Sequence, residues 1–314
     1  MRTIIRRFCF FIINNLILFR PFMALFNYCY ERAPYNIVVY LFRHVVIPNK
    51  DFNWTIRLDN KNKVLTPIRK NRPNTQYFGM TYRWHDPSLN KIETVLLDYL
   101  PHDAIWIDCG ANLGLRALAP LSTRMKVYMI EPNNETNAQN IERCKLNNFS
   151  NYELLTFGVS NTDTEKTFYI DSSTYLSSLN RENIDEKNIV SAQTIQVRKL
   201  DTLFREQINA KVKAHIKIDV EGHEKEVLEG AENLINTLSP SFLIEINTKG
   251  DHIKTVFEML RNKGYKIYEK SEQIVDSKFL RVCPDDTTNY NFTSNDFLFV
   301  RDEALIKRFE TFII

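Results

Sequence analysis

Acidic side chains stand at the ends of several apolar runs in this 314-residue sequence. Short runs rich in Ile and Val are typical of buried parallel strands. Ligands of an open α/β sheet bind beyond the carboxyl ends of its strands, so acids that follow these strands should converge on one edge. The residues expected there are Asp108, Glu131, Asp219, Glu221, His223 and Glu245. Each acid alone could equally cap a helix, but several together favour a site.

One glycine-containing segment, residues 105–114, has the sequence IWIDCGANLG. An apolar run leads into Asp108, and Gly110 and Gly114 follow. This pattern predicts a buried strand, a tight turn and the start of a helix. Glycine suits a turn that bends sharply or approaches a ligand closely. The first N–H groups of the helix would then point at whatever lies in the turn.

The same segment favours a nucleoside ligand that carries positive charge. Glu131 follows it by about twenty residues, where a carboxylate binds ribose in nucleoside-binding α/β folds. Residues 109–114 lack the Gly-x-Gly-x-x-Gly pattern of dinucleotide sites. Asp108 would repel a pyrophosphate but suits a cation. S-adenosylmethionine has a sulfonium and an amino group and no phosphate, so it is the favoured ligand. Another α/β enzyme whose strand ends in Asp and Gly remains the alternative.

Composition is that of a globular protein, with 44% apolar and 25% charged residues. The net charge of +3 gives no nucleic-acid signature. Five cysteines are scattered without a Cys-x-x-Cys pair, which argues against a zinc site or a disulfide framework and favours a reducing compartment.

The first fifty residues differ from the rest of the chain. They hold seven basic residues and one acid, 7 − 1 = +6, so the remaining chain sums to −3. Their apolar run is interrupted by Asn14 and Asn15, and is too short for a membrane span of about 20 residues. Two interpretations remain open for this segment: a helix lying in the membrane interface, or a helix packed on the catalytic domain or a second subunit.

The rest of the chain alternates between predicted strands and helices. We expect a hairpin from residues 52–58 and 63–68, helices over 87–100, 134–146 and 253–263, and strands at 105–108, 127–131, 152–157, 214–218 and 242–247. A long helix is expected after Asp219. Strands at 264–268 and 297–300 should close the sheet as an antiparallel pair. Between two further strands, 166–170 and 194–198, lies a polar, serine-rich insertion expected to act as a lid or binding loop.

Several motifs in the same order resemble those of the FkbM family of S-adenosylmethionine-dependent methyltransferases. They are residues 106–114 (WIDCGANLG), 130–133 (IEPN), 199–201 (KLD), 216–224 (IKIDVEGHE), 227–231 (VLEGA) and 242–245 (FLIE). The resemblance covers roughly residues 52–300, so the first fifty lie outside it. Cys109 stands where the family usually has an aliphatic residue.

This resemblance implies an α/β fold of the class I methyltransferase (Rossmann-like) type. Its sheet is expected to have seven mostly parallel strands, with helices on both faces. The chain would then divide into an N-terminal helical extension, residues 1–50, and a methyltransferase domain, residues 51–314, that begins with the hairpin and first helix. The implied reaction is O-methylation, since family members methylate sugars and macrolide-type natural products.

Seven residues are candidates for the cofactor site. Glu131 would accept hydrogen bonds from the ribose hydroxyls, the glycine segment would shape the pocket for the methionine part, and the short segment after the third strand would form the adenine wall. These residues are Asp108, Gly110, Asn112, Gly114, Glu131, Gly158 and Val159.

A hydroxyl acceptor needs a general base at neutral pH. His223 is one candidate because of its intrinsic pKa, although it could instead cap a helix. Asp219 and Glu221 are the alternatives. The carboxylates could also hold Mg²⁺, but no spacing demands a metal and none is predicted.

The sequence is compatible with three functions. The first is an O-methyltransferase acting on a sugar, glycan or related natural product. The second is an NAD(P)-linked oxidoreductase, which the missing glycine pattern disfavours. The third is an inactive, membrane-associated scaffold, which the full set of pocket residues disfavours. The acceptor would be selected by residues 172–191 and 71–86 and by any partner chain.

We expect a cytoplasmic protein with a small-molecule or glycan acceptor and no nucleic-acid partner. The basic, apolar residues 1–50 would suit peripheral contact with the inner membrane face, and so a lipid-linked glycan acceptor. The oligomeric state is left open.

Overall fold

The computed structural model describes residues 51–58, 62–70, 86–172, 177–248, 251–288 and 290–314, with six single residues: Pro21, Leu25, Tyr28, Cys29, Gly79 and Tyr82. Apart from four of those single positions, the predicted N-terminal helical extension lies outside the described residues. Within the described part of the chain, no helix combines the length and apolar character needed to cross a membrane.

The chain forms two compact units, one from residues 1–87 and 138–150 and the other from residues 88–137 and 151–314. In the first unit, β1 (Phe52–Arg57) and β2 (Lys63–Ile68) pair antiparallel, which confirms the predicted hairpin. Asn147 extends the pairing, because its amide donates to the Leu65 carbonyl at 2.7 Å and accepts from the Leu65 N–H at 2.6 Å.

The second unit contains the main sheet and a small one. In chain order the strands are β3 (Ile105–Cys109), β4 (Lys126–Ile130), β5 (Tyr152–Leu155), β6 (Gly158–Val159), β7 (Thr164–Asp171), β8 (Ile189–Arg198), β9 (Ala214–Ile218), β10 (Ser241–Glu245), β11 (Lys266–Val275), β12 (Lys278–Val282) and β13 (Asp296–Val300). The helices between residues 86 and 314 are α1 (Pro87–Tyr99), α2 (Leu118–Ser122), α3 (Asn134–Leu146), α4 (Leu200–Leu203), α5 (Arg205–Asn209), α6 (Glu224–Glu229), α7 (Glu232–Leu238), α8 (His252–Arg261) and α9 (Glu303–Glu310). Of these, α3 belongs to the first unit from Ala138 onward.

The main sheet has the strand order β12-β11-β13-β10-β9-β3-β4-β5 among the described residues. Strands β10, β9, β3, β4 and β5 run parallel, and β13 is antiparallel to both its neighbours. The chain leaves β3 first toward β5 and later toward β10. Because parallel crossovers are right-handed, this reversal places helices on both faces of the sheet. The predicted α/β class and the closing antiparallel pair are therefore confirmed.

The central strands are buried along their length, as their apolar runs predicted. All five residues of β3 and all five of β9 are buried. At the amino ends of these strands, the His215 ring packs 4.2 Å from the Trp106 ring, and its Nδ1 lies 2.8 Å from the Ser241 hydroxyl.

Three predicted details of the main sheet and its helices were wrong. The sheet has eight strands rather than seven, because β11 continues through a turn at Asp276 and Ser277 into β12. No helix starts directly after Gly114: α2 begins at Leu118 and is one short turn. The long helix expected after Asp219 is split into α6 and α7 at Gly230.

The smaller sheet has the order β6-β8-β7. Strands β7 and β8 form the long antiparallel pair that brackets the serine-rich insertion, and β6 pairs parallel with the end of β8. Of the insertion, residues 177–188 are described between β7 and β8 and contain two short turns of 3-10 helix.

Candidate functional site

The glycine segment folds back over the end of β4. The N–H groups of Gly110 and Ala111 both donate to the Ile130 carbonyl at 3.0 Å. Gly110 has a φ of 75°, and a Cβ there would overlap the carbonyl oxygen of Asp219. The segment therefore lies against Asp219, the residue directly after β9, and only glycine fits at position 110.

Glu131 is fixed beside this segment by two backbone donors. Its carboxylate accepts from the N–H of Asn112 at 3.0 Å and from the N–H of Asn133 at 2.8 Å. Burial raises the pKa of Glu131 to about 7, against the lowering effect of these two hydrogen bonds. A carboxylate has about four lone-pair positions, so two donors leave acceptor capacity for a ribose.

Asp108 lies at the end of β3 and is fully buried. Neither of its carboxylate oxygens has a hydrogen-bond partner among the described residues. Its nearest counter-charge is the Lys217 ammonium, 3.7 Å from Asp108 Oδ1. Burial raises the pKa of this carboxyl despite that lysine. A buried carboxyl without a donor is costly, and a ligand that brings donors or positive charge would relieve the cost.

Lys217 is a site residue that sequence reasoning missed. Its ammonium group lies 3.0 Å from Asp219 Oδ2 as well as beside Asp108. Burial opposes its charge, but the two aspartates outweigh burial and raise the pKa of Lys217. A lysine within a fully buried strand was the available signal, because a buried charge needs a partner.

More negative charge surrounds Asp219 than one lysine can offset. Burial, with repulsion from Asp219 and Glu224, raises the pKa of Glu221 to about 8. Repulsion from Asp219 is the largest effect on Glu245, whose pKa is raised to about 9. Near neutral pH Glu245 is therefore mostly protonated and Glu221 is partly ionised, and a bound cation would favour the ionised form of each.

His223 contacts a serine and a glutamate. Its Nε2 is 3.0 Å from the Ser160 hydroxyl and its Nδ1 is 3.4 Å from Glu226 Oε2. The ring is buried, with 3% of the residue exposed. Ser160 also accepts a hydrogen bond from the Lys166 ammonium at 3.0 Å. Sequence reasoning missed both Ser160 and Lys166, since neither stands near His223 in the chain.

Gly158 and Val159 form β6 and are both buried. A Cβ on Gly158 would lie 2.9 Å from Val197 Cγ1, so close packing within the small sheet accounts for this glycine. Their predicted contact with adenine remains a prediction.

The insertion contacts the turn after Asp219. The Ser178 hydroxyl and the Asn183 amide donate to the Glu221 carbonyl at 2.9 and 2.6 Å. The Asn180 amide donates to the Gly222 carbonyl at 2.7 Å. Glu221 has a φ of 53°, an uncommon conformation for a residue other than glycine. The insertion therefore holds the turn that carries Glu221.

No group of three His, Cys, Asp or Glu side chains within the described ranges is arranged to hold a metal ion.

Solved structures with similar folds include several methyltransferases. The FkbM methyltransferase from Methylobacillus flagellatus KT aligns at 19% identity and TM-score 0.42, over 63% of this chain and 44% of its own. An rRNA methylase from Streptococcus thermophilus aligns at 14% identity and TM-score 0.39, over 68% and 93%. SMU.1697c, a putative methyltransferase from Streptococcus mutans in complex with SAH, aligns at 13% identity and TM-score 0.36, over 68% and 97%. This chain therefore spans less than half the length of the Methylobacillus protein.

The family model carries the assignment. No curated protein matches the chain. The protein-family model described as the methyltransferase FkbM domain matches residues 108–267, just over half of the sequence. The matched range begins at Asp108 and includes Glu131, Lys217, Asp219 and Glu221. The chain belongs to the FkbM methyltransferase family, whose cofactor is S-adenosylmethionine.

Proposed function

We propose that this protein transfers a methyl group from S-adenosylmethionine to a hydroxyl of a sugar, glycan or related natural product. The observation that carries the proposal is Asp108, a fully buried carboxyl whose two oxygens lack hydrogen-bond partners among the described residues. The ammonium group of S-adenosylmethionine would supply the hydrogen-bond donors that this carboxyl lacks, and the sulfonium would add positive charge.

The residues around Asp108 fit the cofactor. Glu131 retains acceptor capacity for ribose hydroxyls. The backbone from Gly110 to Gly114 follows Asp108 in the chain and contacts Glu131 through the Asn112 N–H. It could approach the methionine part closely, since neither glycine has a side chain. Gly158 and Val159 are the proposed adenine wall. When bound, the cofactor supplies an electrophilic methyl group on sulfur.

This chain's own residues must orient the acceptor and remove its proton. We propose Glu221 as the general base, because its raised pKa of about 8 gives a carboxylate stronger than usual and close to the working pH. Asp219 is the alternative, although one of its carboxylate oxygens already contacts the Lys217 ammonium at 3.0 Å. His223 is less well placed, since its Nε2 already contacts Ser160.

The acceptor would bind where the insertion meets the Glu221 turn. Ser178, Asn180 and Asn183 already hold this turn, so changes in the insertion would move the proposed base. The second predicted specificity segment, residues 71–86, and the predicted membrane contact of residues 1–50 fall almost wholly outside the described residues and remain predictions.

Calorimetric titration with S-adenosylhomocysteine tests the cofactor site directly. We expect micromolar affinity for the wild type and loss of at least about tenfold in Glu131→Ala, since hydrogen bonds to a charged group are worth about 1.5–3 kcal/mol. Glu153→Ala is the control because Glu153 is exposed on β5. A labelled methyl donor with a panel of glycans then identifies the acceptor.

Two outcomes would contradict the proposal. Binding of NADH without S-adenosylhomocysteine would favour the oxidoreductase. Absence of binding to either ligand would favour an inactive scaffold.

A further inference from the structure

His223 belongs to a line of polar groups that joins two parts of the second unit. The Lys166 ammonium on β7 lies 3.0 Å from the Ser160 hydroxyl, and that hydroxyl lies 3.0 Å from His223 Nε2. On the other side of the ring, Nδ1 lies 3.4 Å from Glu226 Oε2 on α6. Ser160 and His223 are 63 residues apart in the chain, and both are buried.

The charged groups of Lys166 and Glu226, on either side of Ser160 and His223, determine which atoms donate and which accept. A lysine ammonium group can only donate, so Ser160 Oγ is the acceptor of that bond. An ionised carboxylate can only accept, so the nitrogen that faces Glu226 is best protonated. The ring is then neutral with its proton on Nδ1, and Nε2 accepts a hydrogen bond from the Ser160 hydroxyl. The hydrogen bonds therefore run from Lys166 to Ser160 and from Ser160 to His223. The Nδ1–H group faces the Glu226 carboxylate at 3.4 Å, a charge–dipole contact rather than a hydrogen bond.

The neutral form follows from the surroundings of the ring. Burial lowers the pKa of His223, and the Lys166 charge lowers it further, while Glu226, Glu224 and Glu229 raise it. An imidazole whose Nε2 already accepts a hydrogen bond from Ser160, beside a lysine, is poorly placed to take a proton from an acceptor hydroxyl.

This line joins the two segments proposed to flank the cofactor. Ser160 directly follows Gly158 and Val159, the proposed adenine wall, while His223 directly follows Glu221 and Gly222. The Ser160 backbone also lies against α6, because a Cβ on Gly230 would overlap the Ser160 carbonyl oxygen. The Asn161 amide donates to Glu229 Oε2 at 2.7 Å beside it. The contact between these segments is therefore close over several residues.

We propose that His223 is a positioning residue, held in the neutral Nδ1–H form by Lys166, Ser160 and Glu226, and that it couples the cofactor segment at Ser160 to the Glu221 turn. The expected effect of His223 on ligand binding rests on the proposed function, since the two coupled segments are those that would bind cofactor and acceptor. It assigns His223 no proton transfer with the acceptor.

Nitrogen-15 NMR of the histidine rings tests the arrangement without any activity. We expect His223, assigned by its absence from His223→Gln spectra, to show a protonated Nδ1 and an unprotonated Nε2. We also expect this pattern to stay constant across the ordinary histidine range around pH 6.5. An Nε2–H ring, or titration near that pH, would overturn the proposal.

Binding of S-adenosylhomocysteine to matched variants tests the coupling. Gln at position 223 keeps an acceptor that can reach Ser160, whereas Asn, with its shorter side chain, does not. We expect Ser160→Ala and His223→Asn each to weaken binding by about threefold to tenfold, the range of a single hydrogen bond, and His223→Gln to retain most of it. The double variant Ser160→Ala/His223→Asn should lose no more than either single one.

The control is the second buried His–Ser contact in the unit. His215 Nδ1 lies 2.8 Å from Ser241 Oγ at the amino ends of β9 and β10, away from the proposed site. Ser241→Ala should lower stability without changing affinity. Equal weakening by Ser241→Ala, or additive losses in the double variant, would overturn the coupling.

Failure of this inference and failure of the proposed function are distinguishable. If the wild type binds no S-adenosylhomocysteine, the proposed function and the coupling are both wrong. The ring NMR still tests the protonation state proposed for His223. If the wild type binds and the ring shows the Nε2–H form, the proposed function stands and this inference falls.

Discussion

Two glycines of the second unit have similar backbone conformations but different surroundings. Gly110, in the glycine segment, and Gly264, after α8, both have positive φ values, of 75° and 83°. Their surroundings differ, because a Cβ on Gly110 would overlap the Asp219 carbonyl, whereas one on Gly264 would lie no closer than 3.7 Å to Arg301. Substitution of alanine at each position therefore distinguishes the cost of backbone strain, present at both, from the cost of a steric clash, present only at Gly110.

Gly110→Ala should therefore cost more than Gly264→Ala. We expect Gly264→Ala to lower the free energy of unfolding by about 1 kcal/mol from backbone strain alone. Gly110→Ala should cost more than about 2 kcal/mol and abolish S-adenosylhomocysteine binding, because Asp219 must move. Urea unfolding and calorimetric titration measure both effects. Equal costs at the two positions would show that the two loops can separate freely.

Among the secondary-structure elements, α7 depends on a distant residue for its first turn. Asp201, at the start of α4, accepts from the N–H of Asn233 at 2.9 Å and from the N–H of Leu234 at 2.8 Å. Its own N–H donates to the Gly230 carbonyl at 3.0 Å, at the junction of α6 and α7. The Lys-Leu-Asp motif is thus explained by capping rather than by chemistry.

Asp201→Ala should destabilise the protein without touching the proposed site. Loss of a helix-capping side chain costs about 0.5–2 kcal/mol, and two backbone donors are left without it here, so we expect the upper part of that range. Thermal or urea unfolding measures the loss, with the exposed Glu206→Ala on α5 as control. A large loss of S-adenosylhomocysteine affinity in Asp201→Ala would instead indicate a role in the site.

For the molecule as a whole, we expect cofactor binding to depend on pH because of the acidic residues at the carboxyl ends of the main-sheet strands. Folded-state pKa values of about 7 for Glu131 and about 8 for Glu221 leave both groups partly protonated near neutral pH. S-adenosylmethionine carries one more positive charge than S-adenosylhomocysteine. That charge favours the ionised carboxylates, so S-adenosylmethionine binding should release protons.

The affinity for S-adenosylmethionine, relative to S-adenosylhomocysteine, should therefore rise with pH. The carboxyls are neutral below their raised pKa values and ionised above them, so the gain appears between about pH 6 and pH 8.5, by up to about tenfold per pH unit for each proton released. Titrations in buffers of different ionisation enthalpy measure the protons. Glu221→Gln should reduce the effect, while the exposed Glu153→Gln should leave it unchanged. A ratio independent of pH would contradict this prediction.

The amino-acid sequence was sufficient to predict most of the main sheet and to propose where along the chain the site lies. Apolar runs that end in acids predict buried parallel strands, and the carboxyl ends of such strands meet at one edge, so Asp108, Glu131 and Asp219 could be grouped before any coordinates. The hairpin, α1, α3 and the closing antiparallel pair follow from local periodicity in the same way.

Contacts between side chains of different elements could be identified only in the folded chain. The contact of His223 with Ser160, the pairing of Lys217 with Asp108, and the hold of Ser178 and Asn183 on the Glu221 turn join residues from different elements. Periodicity reports which face of an element is buried, but carries no information about the partner across the interface. The pKa of each acid depends on those partners and on burial, so the chemistry of the edge was fixed only when the chain folded.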